Sequence, residues 1–450
     1  MKKSNVIYSF IIVIAFIFFI TNLNALTIHS TPEGGTWNDE NTWVGNIIPT
    51  ANDDVVINGP VGVTAGAACN NILINPTGTL KNHQTNHQTL QVNGNVTNNG
   101  IIRNNVSALT LNISGDVSNN GIWSNSNTTL IGNGVQHLSF TEVFSGNQFI
   151  ISDTTGLITS DTDIQFINTN IDFNGEQLRF QQDNALLSIN GNYLQDAQII
   201  GNNIVLNMTG EAYIGYSTIE TENLELTGVL QVWNGVVFEG NITVTDTLQN
   251  RSVNHLTLQV NGNVTNNGII RNNVSALTLN ISGDVINNGV WTNSTTNIIG
   301  TVDQEIVLFD GQSINNQVKF HAMISGNSYQ WFKDGEEIEG ATSSILEFDS
   351  LTVQDYGSYV CEIDGTILSR EIEINSGGLE KPENISISIV GNTVVISWNV
   401  VENAASYKIY SSNEPYSETW ILEQEGITDT TWSQQIVDGK KFYYVTAVSD

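Results

Sequence analysis

Several residue types are scarce in this chain of 450 residues. It has two Cys, six Pro and 14 Lys and Arg against 45 Asp and Glu. The formal net charge of −31 argues against nucleic-acid binding, because neutralising phosphates requires clustered basic residues. Hydrophobic residues reach 40%, so the chain can bury real cores and is not a disordered polyelectrolyte. The length predicts two to four domains.

The N-terminal segment 1–25 has the order of a secretory signal peptide. Lys2 and Lys3 precede an apolar stretch of about 15 residues, and a polar segment of small residues follows and ends at Ala25. The stretch is shorter than the roughly 20 residues that span a bilayer. We therefore predict an exported protein, secreted or at the cell surface, with no transmembrane span after cleavage. An uncleaved N-terminal anchor is the alternative.

An internal duplication dominates the sequence between positions 26 and 300. Residues 90–117 recur unchanged at 258–285, within longer near-identical repeats at 82–132 and 250–300. The offset is 168, and a shorter period of 21 lies inside each copy. Because 168 is eight times 21, we expect the two copies to occupy the same phase of the short repeat. A period of about 20 residues predicts a solenoid.

The residues within each period indicate strands. Apolar and polar positions alternate in Leu109–Ile113, and Asn-Gly pairs end such runs, as at Asn99-Gly100. Residues 26–300 therefore predict an all-β fold, a right-handed parallel β-helix of about 13 coils whose apolar faces are buried by stacking. Equivalent corner asparagines should stack as amide ladders: Asn99, Asn120, Asn267 and Asn288.

Residues 26–60 resemble the N-terminal segment of secreted right-handed β-helix proteins. The resemblance rests on Gly35-Thr36-Trp37, Trp43, Pro49 and the strand Asp53–Ile57, in that order. It implies that the two tryptophans cap the open end of the solenoid. A tryptophan pair that stacks on a sugar is the alternative.

The charge rises after residue 301, and residues 302–376 resemble an immunoglobulin-like domain. Trp331 matches the tryptophan of strand C, and Asp355-x-Gly357-x-Tyr359-x-Cys361 matches the strand-F motif with its tyrosine corner. Ala322 stands where the partner cysteine belongs, so the resemblance implies a sandwich without its disulfide. We expect Cys69 and Cys361 to be isolated, buried thiols.

Residues 380–450 resemble a fibronectin type III domain. Pro382, Trp398, Tyr407 and the run Tyr443–Ala447 come in the order of that domain. The expected final strand does not follow before Asp450, so we interpret this domain as incomplete; a sandwich that is completed differently is the alternative. The whole fold class is thus a β-helix solenoid followed by two β-sandwich modules.

Motifs of catalysis are scarce. The weak candidates for a polysaccharide lyase or glycoside hydrolase site are Asp161, Asp163 and Arg179, since both reactions need carboxylates and elimination needs a base. The alternative is an acidic solvated edge. His83 and His87 lack the glutamate of a zinc protease motif and are expected to be exposed. No cofactor or metal site is predicted, and Ca²⁺ binding at the acidic surface is compatible with the composition without a motif.

These resemblances imply a bacterial adhesin or cell-envelope scaffold. Such a protein would be non-catalytic and would present binding surfaces on a rigid rod, with polysaccharide or other cell-surface ligands as partners. The rival is a carbohydrate-active enzyme, with its site on the β-helix or in a further domain. The sequence makes no prediction of the ligand, the surface attachment or the oligomeric state.

Overall fold

The computed structural model describes residues 25–83, 85–152, 156–309, 311–377, 382–401, 404–415, 420–436 and 441–448. The predicted signal peptide lies outside the described residues, except for Ala25. The fold class is confirmed: the protein is all-β, with a parallel β-solenoid followed by antiparallel sheets that are consistent with β-sandwich modules. The solenoid has about 12 turns, close to the 13 expected.

Each turn of the solenoid contributes strands to three faces, in chain order. The first face consists of Thr27–His29, Asp54–Ile57, Ile72–Ile74, Val96–Asn98, Val117–Asn119, Gln136–Phe140, Leu157–Ser160, Gln177–Phe180, Leu256–Val260, Leu277–Ile281 and Thr295–Ile298. The second face consists of Gly35–Thr36, Pro60–Val63, Thr79–Asn82, Ile101–Arg103, Ile122–Ser124, Ile164–Ile167, Ala185–Asn190, Val264–Asn266, Val285–Asn287 and Gln304–Leu308.

The third face completes each turn. It consists of Ala68–Cys69, Gln88–Val92, Leu109–Ile113, Asn127–Leu130, Gln148–Ile151, Asn170–Asp172, Tyr193–Gln195, Tyr213–Gly215, Thr247–Asn250, Ile269–Arg271 and Val290–Thr292. Three longer strands bend around corners and belong to more than one face: Gln198–Thr209, Thr218–Val232 and Val237–Val244. The short 3₁₀ helix Glu40–Thr42 lies before the second turn.

The core is built from columns of identical or similar residues. Leu111 pairs with Leu90 in the parallel ladder, and both side chains are buried, as are the flanking Val92 and Ile113. The alternation of buried and partly exposed residues in Leu109–Ile113 matches the period of two in the sequence. A single turn could not bury its apolar side alone, so stacking between turns is what makes the core.

The duplicated blocks do not keep the same phase, and that expectation was wrong. The strand Gln88–Val92 lies on the third face, whereas its copy Leu256–Val260 pairs with Val237–Val244 and Leu277–Ile281 on the first face. In the same way, Ile101–Arg103 lies on the second face and its copy Ile269–Arg271 on the third. The second copy is therefore rotated by one face, which is a third of a turn.

The predicted asparagine ladders are confirmed at the corners. Asn120 donates to Asn99 Oδ1 at 2.9 Å, and Asn288 donates to Asn267 Oδ1 at 2.9 Å. A second ladder, which the sequence reasoning missed, is buried: Asn98 donates from Nδ2 to Asn119 Oδ1 at 2.8 Å. The buried ladder satisfies polar groups that stacking would otherwise leave unpaired.

The N-terminal end of the core is covered by aromatic side chains. Trp37 and Trp43 are each 1% exposed, and their rings lie 5.2 Å apart in an edge-to-face arrangement. Trp43 Nε1 donates to the carbonyl of Trp37 at 2.8 Å. Side chains buried to this extent have no face for a sugar, so the structure favours the cap over the sugar-stacking alternative.

At its C-terminal end, the solenoid continues into antiparallel strands on all three faces. Thr295–Ile298 pairs in parallel with Gln317–His321, which pairs antiparallel with Ile345–Phe348. Gln304–Leu308 pairs in parallel with Ile372–Asn375. On the third face, Ile314 bridges Trp291 on one side and Leu351 on the other. The hydrogen-bonded sheet thus passes residue 301 without a break.

The remaining strands of this antiparallel unit enclose Trp331. They are Tyr329–Lys333, Glu336–Glu337, Gly357–Ile363 and Ile367–Leu368, with a 3₁₀ helix at Val353–Asp355. Trp331 pairs with Cys361, and both are buried together with Ala322. Tyr359 Oη donates to the carbonyl of Asp355 at 2.7 Å, which is the contact that a tyrosine corner requires. Cys69 and Cys361 are free and buried, as expected.

One buried cation joins the last turns to the antiparallel unit. Arg370 is 9% exposed and donates to Gln304 Oε1 at 2.9 Å, to the carbonyl of His321 at 2.6 Å and to the carbonyl of Ile298 at 3.1 Å. Burial lowers the pKa of Arg370 to about 10, so the guanidinium is still charged at neutral pH. Its acceptors come from both sides of residue 301, and it therefore fixes the junction.

Residues 382–448 form two three-stranded antiparallel sheets. One contains Ser386–Val390, Thr393–Ser397 and Thr431–Gln435, and the other contains Ile421–Ile427, Ser406–Ser412 and Phe442–Val448. Their facing residues make a separate core around Trp398, Tyr407 and Trp432. The strand Ser386–Val390 is exposed along its whole length.

The buried asparagine ladder yields a stability prediction. Asn98→Ala removes the acceptor of the Gly100 N–H and the donor to Asn119 Oδ1 and Ile122 O, all inside the protein. We expect a loss of about 2–4 kcal/mol in the free energy of unfolding, measured by denaturant titration. The control Asn120→Ala, in the exposed ladder, should cost less than about 1 kcal/mol. Equal losses would contradict the role of the buried ladder.

The junction yields a second prediction. Arg370→Met keeps the aliphatic stem but leaves buried carbonyls without a donor, so we expect a loss of about 2–4 kcal/mol. Lys319→Met is the control, because Lys319 forms only a partly exposed ion pair with Glu347, 3.0 Å long, and should cost under about 1 kcal/mol. Thermal unfolding of both variants checks this. An unchanged melting curve for Arg370→Met would refute it.

Candidate functional site

The sequence candidates Asp161 and Asp163 line one cleft of about 390 Å³ on the solenoid, together with Glu142. Each has a structural partner. Asp161 forms an ion pair with His137 Nε2 at 3.1 Å, and Asp163 accepts from the Leu186 N–H at 3.0 Å and from Gln182 Nε2 at 2.6 Å. These contacts join the two aspartates to the preceding and the following turn of the solenoid.

Arg179 is not among the side chains that line this cleft. It lies on Gln177–Phe180, exposed, and pairs with Thr159 in the turn before and Ile200 in the turn after. The structure thus brings the two aspartates together and leaves the arginine outside their cleft. Nothing in this geometry favours a lyase or hydrolase site at these three residues.

Among the described residues, no group of three or more His, Cys, Asp or Glu side chains is placed to hold a metal ion. His83 and His87 are exposed, and His87 Nε2 lies 2.6 Å from Thr110 Oγ1. No helix in the described ranges is long and apolar enough to cross a membrane.

The third face carries a different set of side chains in its C-terminal half. In successive turns Tyr193, Tyr213, Gln231, Gln249 and Arg271 pair in one column. The two tyrosines and Arg271 reach the surface, whereas Gln231 and Gln249 are buried. Since strands in neighbouring turns lie about 4.8 Å apart, the column is a regular row of rings, amides and a guanidinium.

A second outward column lies beside the first. It contains Gly215, with Trp233 and Arg251 following in the next two turns. A Cβ atom at Gly215 would lie 3.1 Å from the Trp233 ring, so the glycine makes room for this side chain. The ring of Tyr213 lies 5.9 Å from that of Trp233, edge to face, and the guanidinium of Arg251 lies 4.5 Å from the Tyr213 centroid.

The two columns border a cleft of about 690 Å³, which we call the arginine cleft. It is lined by Thr209, Gly210, Glu211, Gly228, Val229, Gln231, Gln249, Arg251, Val253, Asn273 and Val274. Arg251 Nη1 donates to the carbonyl of Glu211 at 3.1 Å and to Gln231 Oε1 at 3.4 Å. Arg271 Nε donates to Gln249 Oε1 at 2.9 Å. Neutral oxygens therefore hold both guanidiniums.

Two carboxyl groups, those of Asp172 and Asp196, lie near Tyr193, toward the middle of the third face. Partial burial, and then the charge of Asp172, raise the pKa of Asp196 above its ordinary value. Asp172 accepts from Gln195 Nε2 at 2.9 Å. Burial also raises the pKa of the Tyr193 hydroxyl, with smaller effects from Tyr213 and Asp172. A carboxyl group with a raised pKa beside a second carboxyl group is a pattern found in acid–base sites.

The sequence reasoning missed this face. A signal was present, because Tyr193, Tyr213 and Trp233 recur at intervals of 20, as do Arg251 and Arg271. The interval equals one turn between Tyr193 and Tyr213, but later turns have 18 or 22 residues, and the Asn-Gly pattern that revealed the solenoid is weak between residues 198 and 250. Without the register, these residues could not be assigned to one surface.

Comparisons with known proteins give no family. No family model matches the chain, and no curated protein matches it. Among solved structures, one match is the crystal structure of the CD2-binding domain of CD58, lymphocyte function-associated antigen 3. It is 14% identical, with a TM-score of 0.15, and the match covers 33% of this chain and 98% of that chain. A TM-score this low supports no argument about fold or function.

The contacts of the two aspartates predict structural roles. Asp163→Ala removes the acceptor of the Leu186 N–H and should cost about 1 kcal/mol in the free energy of unfolding. Asp161→Ala breaks only an exposed ion pair with His137 and should cost about 0.5 kcal/mol or less. Denaturant titration checks both values. The prediction would be contradicted if the unaltered protein cleaved a polysaccharide and either substitution abolished that cleavage.

Proposed function

We propose that this protein is an exported, non-catalytic surface protein, an adhesin-like or cell-envelope scaffold that presents binding surfaces on a rod. The supporting observation is the continuous sheet, which runs from the capped N-terminal end through about 12 turns into the antiparallel unit. By the spacing of parallel strands, the solenoid is about 60 Å long. A rigid element of this length is suited to holding a surface away from its attachment point.

The two C-terminal units support the same role as immunoglobulin-like and fibronectin type III-like modules. For the first, the support is the packing of Trp331 on Cys361 and the hydrogen bond of Tyr359 to Asp355. For the second, it is the pair of three-stranded sheets around Trp398 and Tyr407. Export is proposed from the order of charged, apolar and small side chains in the N-terminal segment 1–25.

A carbohydrate-active enzyme is the second candidate, and one observation favours it. Asp172 and Asp196 are neighbouring carboxylates with a raised pKa on Asp196, beside the rings of Tyr193 and Tyr213. Glycoside hydrolysis uses such a pair, with the protonated member as acid. We favour the scaffold because Asp172 is already engaged by Gln195 and by the backbone N–H of Asn174.

The proposal predicts that the protein is exposed on the outside of the cells that make it. Mild protease treatment of intact cells that make the protein should remove it from the cells, whereas a cytoplasmic marker should survive. The culture medium is examined in parallel for the secreted form. Recovery of the protein only after lysis would overturn the proposal.

Catalysis is tested on the purified chain. Incubation with acidic and neutral polysaccharides should release neither new reducing ends nor the unsaturated products of elimination. The control is Asp183→Asn, which changes an exposed aspartate of the same solenoid. Products that form with the unaltered chain and with this control, but not with Asp196→Asn, would establish the enzyme instead.

A further inference from the structure

We infer that the arginine cleft binds an acidic polysaccharide, one whose sugars carry carboxylate groups. The inference rests on the proposed function, because it names the ligand of a rod whose surfaces bind. It concerns the part of the third face from Tyr213 to Arg271, where rings, amides and two guanidiniums lie in consecutive turns.

Charge is the first argument. The solenoid sequence from 26 to 301 contains five basic residues, Lys81, Arg103, Arg179, Arg251 and Arg271. Arg251 lines the cleft, and Arg271 lies on the same face in the next turn, outside the lining residues. Neither of the two forms an ion pair with a carboxylate among the residues that the structure describes. In a chain with a net charge of −31, two guanidiniums without an ion pair thus lie in consecutive turns of one face, with Glu211 as the carboxylate in the cleft.

Unused hydrogen-bond capacity is the second argument. A guanidinium has five N–H donors, and Arg271 uses Nε for Gln249 while Arg251 uses Nη1 for Glu211 and Gln231. The donors that remain can form bidentate contacts with a carboxylate. Asn273, which is exposed, adds an amide group that can bond sugar hydroxyls, whereas the buried Gln231 and Gln249 hold the two guanidiniums.

The side chains are also held in place before a ligand arrives. The Tyr213 ring lies under the Arg251 guanidinium at 4.5 Å, and Trp233 packs edge to face on that ring. Tyr216 packs on Trp233 with a centroid distance of 5.4 Å and is 47% exposed. Ordering such side chains in advance reduces the entropy lost on binding.

The shape of the face favours a polysaccharide over a peptide. The strands of the third face here pair with both neighbours, so an extended peptide would find no free edge to join. The exposed Val229 and Val253 provide an apolar surface on which the C–H groups of a sugar can pack. Glu211 is the one carboxylate among the lining residues, and it should oppose an acidic ligand.

The duplication supplies a matched control for the experiment. Arg103 and Arg271 lie in identical sequence blocks, but Arg103 is on the second face, between Lys81 and Ser124. The full chain and its variants Arg251→Gln, Arg271→Gln, Glu211→Gln and Arg103→Gln are titrated with alginate, a polymer of uronic acids. Dextran serves as the neutral polysaccharide and polyglutamate as the acidic peptide, and circular dichroism verifies folding.

We expect saturable binding of alginate that weakens with added salt, and little binding of dextran. Arg251→Gln and Arg271→Gln should each raise the Kd about tenfold or more, whereas Glu211→Gln should lower it and Arg103→Gln should leave it within about twofold. Equal effects of Arg103→Gln and Arg271→Gln would overturn the inference. Binding of polyglutamate as tight as that of alginate would also overturn it.

Failure of the inference can be separated from failure of the proposed function. If alginate does not bind, or if neither Arg251→Gln nor Arg271→Gln weakens its binding, the inference is overturned. The proposal of a surface scaffold is unaffected by that result. Cleavage of alginate, detected as unsaturated products, overturns the non-catalytic function even if the cleft variants lose binding.

Discussion

The structure depends on one constraint: no turn of the solenoid can bury its own apolar side. Each turn contributes only a few inward side chains per face, such as Leu90 and Val92, and these become a core only when the next turn covers them. Both ends of the stack therefore need a cover. Trp37 and Trp43 cover the N-terminal end, and the antiparallel unit that follows residue 301 covers the other.

This constraint explains why the junction is a continuous sheet and not a flexible linker. The charge rises near residue 301, and the sequence alone suggests a boundary there, but a free end would expose strand edges on three faces at once. The chain resolves this by sharing strands, with Gln304–Leu308 paired to the solenoid on one side and Ile372–Asn375 on the other. Arg370 then donates to a carbonyl in each unit, and we therefore expect the two units to unfold together.

The sequence predicted the stacked coils, the corner ladders and the buried tryptophans, because each follows from a local pattern that repeats. It failed on the phase of the duplication, since turn length varies along the stack. Leu111 pairs with a residue 21 positions earlier, Asn127 with one 17 earlier and Asp172 with one 22 earlier. Corner geometry sets these lengths, and small differences accumulate between one copy of the block and the other. The prediction of the candidate site failed for the same reason, because the register between turns decides which side chains are neighbours on the surface.

The rotation of the duplicated block has a consequence for function. An identical sequence folds into the same strands on two different faces, so the strand and corner conformations are properties of the local sequence. The outward neighbours are not: Arg103 lies between Lys81 and Ser124, whereas Arg271 lies between Gln249 and Thr292. Duplicating a block out of phase thus keeps the core intact and moves a surface side chain into new surroundings. In this chain, that rotation places Arg271 on the third face, in the turn that follows Arg251 and beside the arginine cleft.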